Sequence, residues 1–202
     1  MGDHSVNQFL GKTELRNFTQ HVFRDLQALD RMLNEDMFEK GITRIGAEQE
    51  MCLIDSAFRP APIAMEVLET INDPHFTNEL SKFNLEINLD PQEFTGDCLT
   101  RMENQLKSCL SKLSDNLRQK VADYILVGIL PTIRRSDLRI DNMTPYPRYY
   151  ALNEAIIKMR GGGPHEFRID GHDELVTKHD TVMFESCNTS FQVHYQVEPK
   201  DF

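Results

Sequence analysis

Tryptophan is absent from the 202 residues, and only four cysteines occur, Cys52, Cys98, Cys109 and Cys187. No two of them have Cys-X-X-Cys spacing. The chain therefore reads neither as a disulfide framework nor as a zinc site, and a reduced, cytoplasmic protein is expected. No apolar run approaches the ~20 residues that span a bilayer. The opening stretch, Met1 to Leu15, is polar and mixed in charge, unlike a signal peptide. Basic residues are in deficit, with 22 Lys and Arg against 32 Asp and Glu, a net charge of −10. Such a surface repels nucleic acid and anionic membranes, and neither is expected as a partner. The only glycine run, 161–163, lacks the strand before it and the Gly-Lys-Ser/Thr after it that make a phosphate loop. No fixed-period repeat and no low-complexity linker appears.

What remains is an ordinary globular mixture, 40% hydrophobic and 27% charged, with enough apolar surface for a core. Thr13 to Phe38 has an amphipathic helical pattern. Phe18, Val22, Leu26, Leu29 and Leu33 share one stripe, Thr13 is placed to cap it and Gly41 to end it. Glu66 to Ile71 reads as a short helix stopped at Asn72-Asp73-Pro74. Leu99 to Val121 keeps helical spacing without Pro or Gly. Arg148 to Lys158 reads as a helix with Pro147 at its start, and Leu175 to Phe184 as partly helical. Three segments alternate with period two: Arg44 to Asp55, Phe83 to Leu89, and Thr189 to Gln196. Tyr124 to Leu130 reads as a buried strand, and Thr77 to Lys82 is open between helix and strand. Strands that alternate rather than being apolar throughout favour an antiparallel α+β fold. The whole chain is read as one domain with residues 1–40 as a helical N-terminal segment.

Chemistry concentrates on the polar sides of the three alternating strands. Glu48 and Glu50 are two apart, so both side chains point to one face with Cβ atoms roughly 7 Å apart. Two carboxylates so placed repel unless a cation sits between them, and hard oxygen donors suit Mg²⁺ or Mn²⁺. Glu86 and Asn88 repeat the habit on the second strand. Asn188, Ser190, Gln192 and His194 repeat it around the third. Taken singly, each pattern is the wet face of an ordinary strand, and a lone histidine is more often a surface residue than a ligand. If the three strands are neighbours, Glu48, Glu50, Glu86 and Gln192 converge on one concave polar face. A tight acid cluster implies divalent metal, and several metals imply polyphosphate, since Mg²⁺ reverses the repulsion between carboxylates and ATP. Arg148 follows Pro147 at a helix start, where it can grip a phosphate or carboxylate. From the residue alone, a surface ion pair is the stronger explanation. No convincing Ser-His-Asp or Cys-His set is present.

The order of these motifs resembles the glutamate–cysteine ligase family, in its plant-like and carboxylate–amine ligase branches. The matching blocks are Gly46-Ala47-Glu48-Gln49-Glu50 with Leu53-Ile54-Asp55, then Leu85 to Pro91 (LEINLDP), Val127 to Pro131 (VGILP), Met143 with Pro147-Arg148-Tyr149, and Ser186 to Val193 (SCNTSFQV). The resemblance implies a glutamine-synthetase-like antiparallel sheet with helices packed on one side. It implies a ligase of glutathione biosynthesis, in which ATP activates the side-chain carboxylate of glutamate as an acyl phosphate and a small amine such as cysteine displaces phosphate. By motif position Glu48, Glu50, Glu86 and Gln192 are expected to bind Mg²⁺ or Mn²⁺. Glu79 falls where an acid near the amino-acid substrate is expected. Asn88, Arg148, Tyr149 and Asn188 fall in substrate or nucleotide segments. Branches with a Thr-His-Val-His pattern carry histidine where Ser190 and Gln192 stand. Family domains are about twice this length, so further ligands are expected from a segment beyond Phe202. A half-sheet has open edges, and a homo-oligomer is compatible with it. Two other readings share the acid face: a non-catalytic relative that binds nucleotide or metal, and a metal-dependent phosphotransferase or hydrolase.

Overall fold

The structure, a computed structural model, describes residues 11–201. The reading of Met1 to Leu15 as other than a signal peptide falls mostly outside them. Strand β1 (Arg44–Asp55) is the spine of the molecule. On one edge it pairs antiparallel with β3 (Asn84–Asn88) and β4 (Gln92–Glu93), and β3 pairs in turn with β2 (Phe76–Asn78). On the other edge it pairs with β8 (Phe191–Gln196) along residues 44–49 and with β5 (Ala122–Ile125) along residues 52–55. All pairings are antiparallel, as the alternating patterns require. Asp55 closes the first turn by accepting backbone N–H bonds from Ala57 (2.8 Å) and Arg59 (2.9 Å), the local side-chain turn that Asp favours.

Helices α2 (Ala64–Ile71) and α3 (Cys98–Arg118) cover one face of this sheet. Ile45, Ala47, Met51 and Leu53 of β1 meet Val67 of α2 and Met102, Leu113 and Leu117 of α3 in the main core. Leu113 and Leu117 are fully buried, so truncating either to Ala is expected to cost about 2–5 kcal/mol. Helix α2 ends at Asn72, whose φ of 45° makes the left-handed cap and whose N–H reaches the Leu68 carbonyl; the stop read from Asn72-Asp73-Pro74 is where the helix stops. Helix α4 (Pro147–Met159) opens with Pro147 in its first turn. It packs on a 3₁₀ segment, Val182–Cys187, through a second core containing Leu80, Phe83, Met143, Tyr149 and Met183.

Several expectations shift. Helix α1 spans Lys12–Asn34 with Gly11, not Thr13, at its cap, and it ends before Gly41. None of its side chains is buried, and Phe191, Val193 and Tyr195 of β8 stay half exposed on the α2–α3 side of the sheet. The stretch read as a buried strand over 124–130 pairs only as far as Ile125, and Gly128 and Ile129 instead bond the segment leading into β8. The stretch 77–82 is strand as far as Asn78, then a bridge from Ser81 to Met143. Leu175 to His179 is not helical: it is β7 (Glu174–His179), hairpin-paired with β6 (His165–Asp170). Only its end, from Val182, turns into the 3₁₀ segment. Among the described residues no helix is long and apolar enough to cross a membrane.

Candidate functional site

The second face of β1 changes character along its length. Cys52 and Ile54 are buried against Leu130, while Glu50 and Glu48 open onto a polar concavity. Burial holds the Cys52 thiol up at about 11, so it stays protonated. The ladder sets the concavity. Glu50 lies opposite Glu86 of β3, and Glu48 lies opposite Asn88 of β3 and Gln192 of β8. Residues directly opposite share a face, so five positions named from sequence come together by register alone.

Glu79, just after β2, completes the cluster. Glu50, Glu79 and Glu86 each offer a carboxylate oxygen, and the three oxygens lie within 4.8 Å of one another. Glu86 is buried and the other two are half-buried. The resemblance implied a place near the amino-acid substrate for Glu79; the fold sets it inside the carboxylate cluster. Burial, a hydrogen bond with Glu86 and the negative charges of Glu86 and Glu50 raise its carboxyl from 4.5 to about 8. The backbone N–H of Leu80, 3.2 Å from Glu79 Oε2, opposes that rise only weakly.

Each of the other two carboxylates is held in one orientation. Glu50 Oε2 accepts from the Ser190 backbone N–H (2.8 Å) and hydroxyl (3.0 Å), and Oε1 accepts from Gln192 Nε2 (2.8 Å). Glu86 Oε1 accepts from Asn88 Nδ2 at 2.6 Å. Gln192 therefore meets the site as a donor to Glu50, and its amide oxygen makes no hydrogen bond among the described residues. Glu48 stands outside the trio, 3.4 Å from His194 Nε2.

Beside the trio lies a cavity of about 340 Å³. Glu50, Glu79, Tyr149, Glu185 and Asn188 line it, with Leu152 and Val182 as apolar wall. Arg148 does not line the cavity but bonds Tyr149, which does. Arg148 Nη2 donates to the Tyr149 hydroxyl at 2.6 Å, its guanidinium sits 4.5 Å from the ring centre, and Asn78 Nδ2 donates to the same hydroxyl at 3.0 Å. Asn188 ends the 3₁₀ segment and lines the cavity rather than continuing the β8 face. Two contributors escaped the sequence reading. Ser190 was noted only as one member of a polar side, yet it supplies two of the three bonds to Glu50. Glu185 lies in a segment with no local signal of a site.

The donor set fits a hard divalent cation. Three converging carboxylates, two of them oriented by amide and hydroxyl donors, are hard-oxygen ligands. Burial first, and the neighbouring carboxylates after it, raise the proton affinity of Glu79, and a bound cation would oppose both. The family model described as Glutamate-cysteine ligase family 2 (GCS2) matches residues 44–201, which contain every strand of the site and all its named residues. No curated protein and no solved structure matches the chain.

Proposed function

The chain belongs to glutamate–cysteine ligase family 2, a family of ligases, and on that premise we propose that it is an ATP- and Mg²⁺-dependent carboxylate–amine ligase acting on glutamate or a similar acid. The observation that carries the reading is the carboxylate trio Glu50, Glu79 and Glu86 on the wall of a cavity. These three residues would hold Mg²⁺ or Mn²⁺, with Glu48 and the free amide oxygen of Gln192 one rung away as further ligands. Bound there, the metal would neutralise phosphate charge so that a transferring phosphoryl group can approach an acidic face.

The residues of the chain supply positioning. Ser190 and Gln192 fix both oxygens of Glu50, and Asn88 fixes Glu86. Tyr149 lines the cavity and holds Arg148 through its hydroxyl, and the pair would grip an anionic group of glutamate or nucleotide. In the reaction, a glutamate carboxylate oxygen bonds the terminal phosphorus of ATP and ADP leaves. The amine nitrogen then bonds the acyl carbon, the carbon–oxygen bond to phosphate breaks with its electron pair, and the ammonium proton is lost to water. No side-chain nucleophile is needed, in keeping with a site built from carboxylates and amides.

The test is phosphate release from ATP by the purified chain with Mg²⁺. Release that requires both glutamate and an amine supports a ligase. ATP binding without release supports a non-catalytic relative, and release without amine supports a hydrolase or phosphotransferase.

A further inference from the structure

A second cavity, of about 420 Å³, adjoins the first at Asn188, which lines both. The 3₁₀ segment divides them. Glu185 and Ser186 face the acidic cavity, while Phe184 and Cys187 face the other. One wall is the β6–β7 hairpin. Cross-strand partners share a face, so the pairs Phe167–Thr177 and Ile169–Leu175 form an inner face, and the pairs Glu166–Lys178 and Arg168–Val176 an outer one. The outer face is salt-bridged, Lys178 to Glu166 at 3.1 Å and Arg168 to Glu174 at 2.6 Å. The inner face is mostly apolar, with Thr177 and the pair His165–His179 at its near end. Phe167 stacks on Phe184 with ring centres 4.3 Å apart, and Ile169 and Leu175 line the cavity while each remains about half exposed, at 55% and 49%.

The opposite wall is Leu130, Ile133 and Leu138 with Arg134 and Arg135. Neither guanidinium makes an ion pair among the described residues, and no carboxylate lines this cavity. In a chain of net charge −10, that is a local reversal of sign. A largely apolar chamber with two arginines whose guanidiniums make no ion pair among the described residues fits a molecule with an apolar body and an anionic group.

We propose that this chamber holds the amine acceptor of the ligase reaction, and that the acceptor is an amino acid with a bulky apolar side chain. Its side chain lies between the hairpin and Leu130 and Leu138, and its carboxylate on Arg134 and Arg135. Its amino group is presented past Asn188 toward the cavity lined by Glu50 and Glu79. The inference rests on the ligase reading above. The volume lies within the range of ligand pockets, about 300–1,000 Å³, and leaves a side chain as small as that of cysteine mostly in contact with nothing.

The experiment titrates L-phenylalanine, L-alanine and phenethylamine into the full chain with Mg²⁺ by calorimetry. Phenylalanine is expected to bind at least tenfold tighter than alanine, which lacks the apolar body, and at least tenfold tighter than phenethylamine, which lacks the carboxylate. The exposed-site double variant Arg134→Gln, Arg135→Gln is expected to bring phenylalanine to the level of phenethylamine. Ile169→Ser is expected to weaken phenylalanine severalfold and leave alanine unmoved. Phenylalanine binding no tighter than alanine, or unchanged in the arginine variant, overturns the proposal. A second arm supplies ATP, glutamate and each amine. A faster glutamyl amide of phenylalanine than of cysteine supports it. Amide from cysteine alone overturns it while the ligase reading stands. Phenylalanine binding with no amide from any amine overturns the ligase reading and the acceptor assignment together.

Discussion

Glu50 and Glu86 stand directly opposite each other on neighbouring antiparallel strands, with both carboxylates on the same face. Like charges in that relationship destabilise a sheet by up to about 1 kcal/mol, and the arrangement persists here with a third acid, Glu79, added to it. A fold that gathers repelling groups and orients each with its own donors has a use for their charge.

Removing one charge therefore stabilises the metal-free protein. Glu86→Gln keeps the shape and a hydrogen-bonding side chain but ends the repulsion with Glu50. The unfolding midpoint without metal is expected to rise, by about 1 kcal/mol of stability, and added Mg²⁺ is expected to raise it no further. Thermal melts with and without Mg²⁺ check both.

Stability should also depend on pH through Glu79. Its folded-state carboxyl titrates at about 8, above its ordinary 4.5. Between those values the native state holds a proton that the unfolded state has lost. Stability of the metal-free protein then falls as pH rises from about 4.5 to about 8 and is flat above. A bound divalent cation takes the place of that proton, so Mg²⁺ flattens the slope and Glu79→Gln removes it. Melts across pH 5–9 measure the slope directly.

A separate cluster fixes the scaffold beneath the site. His75 Nδ1 lies 2.9 Å from Asp73 and Nε2 3.2 Å from Asp90, and Lys112 of α3 donates to Asp73 at 2.6 Å. Hydrogen bonds to Asp73 and Asp90 raise the imidazole above 6.5. The bond from Lys112 chiefly, with those from His75, holds Asp73 down at about 2. A histidine with a raised folded value contributes its full stability below its unfolded value and loses it as pH rises through the folded one. His75→Gln should cost up to about 1 kcal/mol at pH 5.5 and distinctly less at pH 8.5, measured by urea denaturation.

The wall between the two cavities hangs on one buried amide. Asn153 of α4 accepts the Val182 backbone N–H at 2.9 Å, and both residues are buried. Asn153→Ala leaves that N–H without its partner at a cost of about 1–3 kcal/mol. Amide exchange at Val182 and Met183 should quicken.

The strands were legible because period-two alternation is a local signal: β1, β3 and β8 lie where Ile45, Leu85 and Val193 alternate with acids and amides. The convergence of Glu50 and Glu86 followed from it once register was fixed. Other features were not local. The stripe of Phe18, Val22 and Leu26 has the period of a packed helix whether or not another element lies against it, and here its side chains are exposed. Leu175 to His179 is short, and its strand identity rests on the pairing partner 165–170, ten residues back across a turn. Glu79 could be given a role only by motif position, since an irregular turn after β2 brings it to Glu86.

The most direct test of the carboxylate trio is Mn²⁺ titration of the metal-free chain followed by electron paramagnetic resonance. Saturable binding is predicted for the wild type. It should weaken at least tenfold in Glu50→Gln, Glu79→Gln and Glu86→Gln taken singly, and by less in Glu48→Gln. Binding of equal affinity in all four variants, or no saturable binding to the wild type, contradicts a metal centre at these residues.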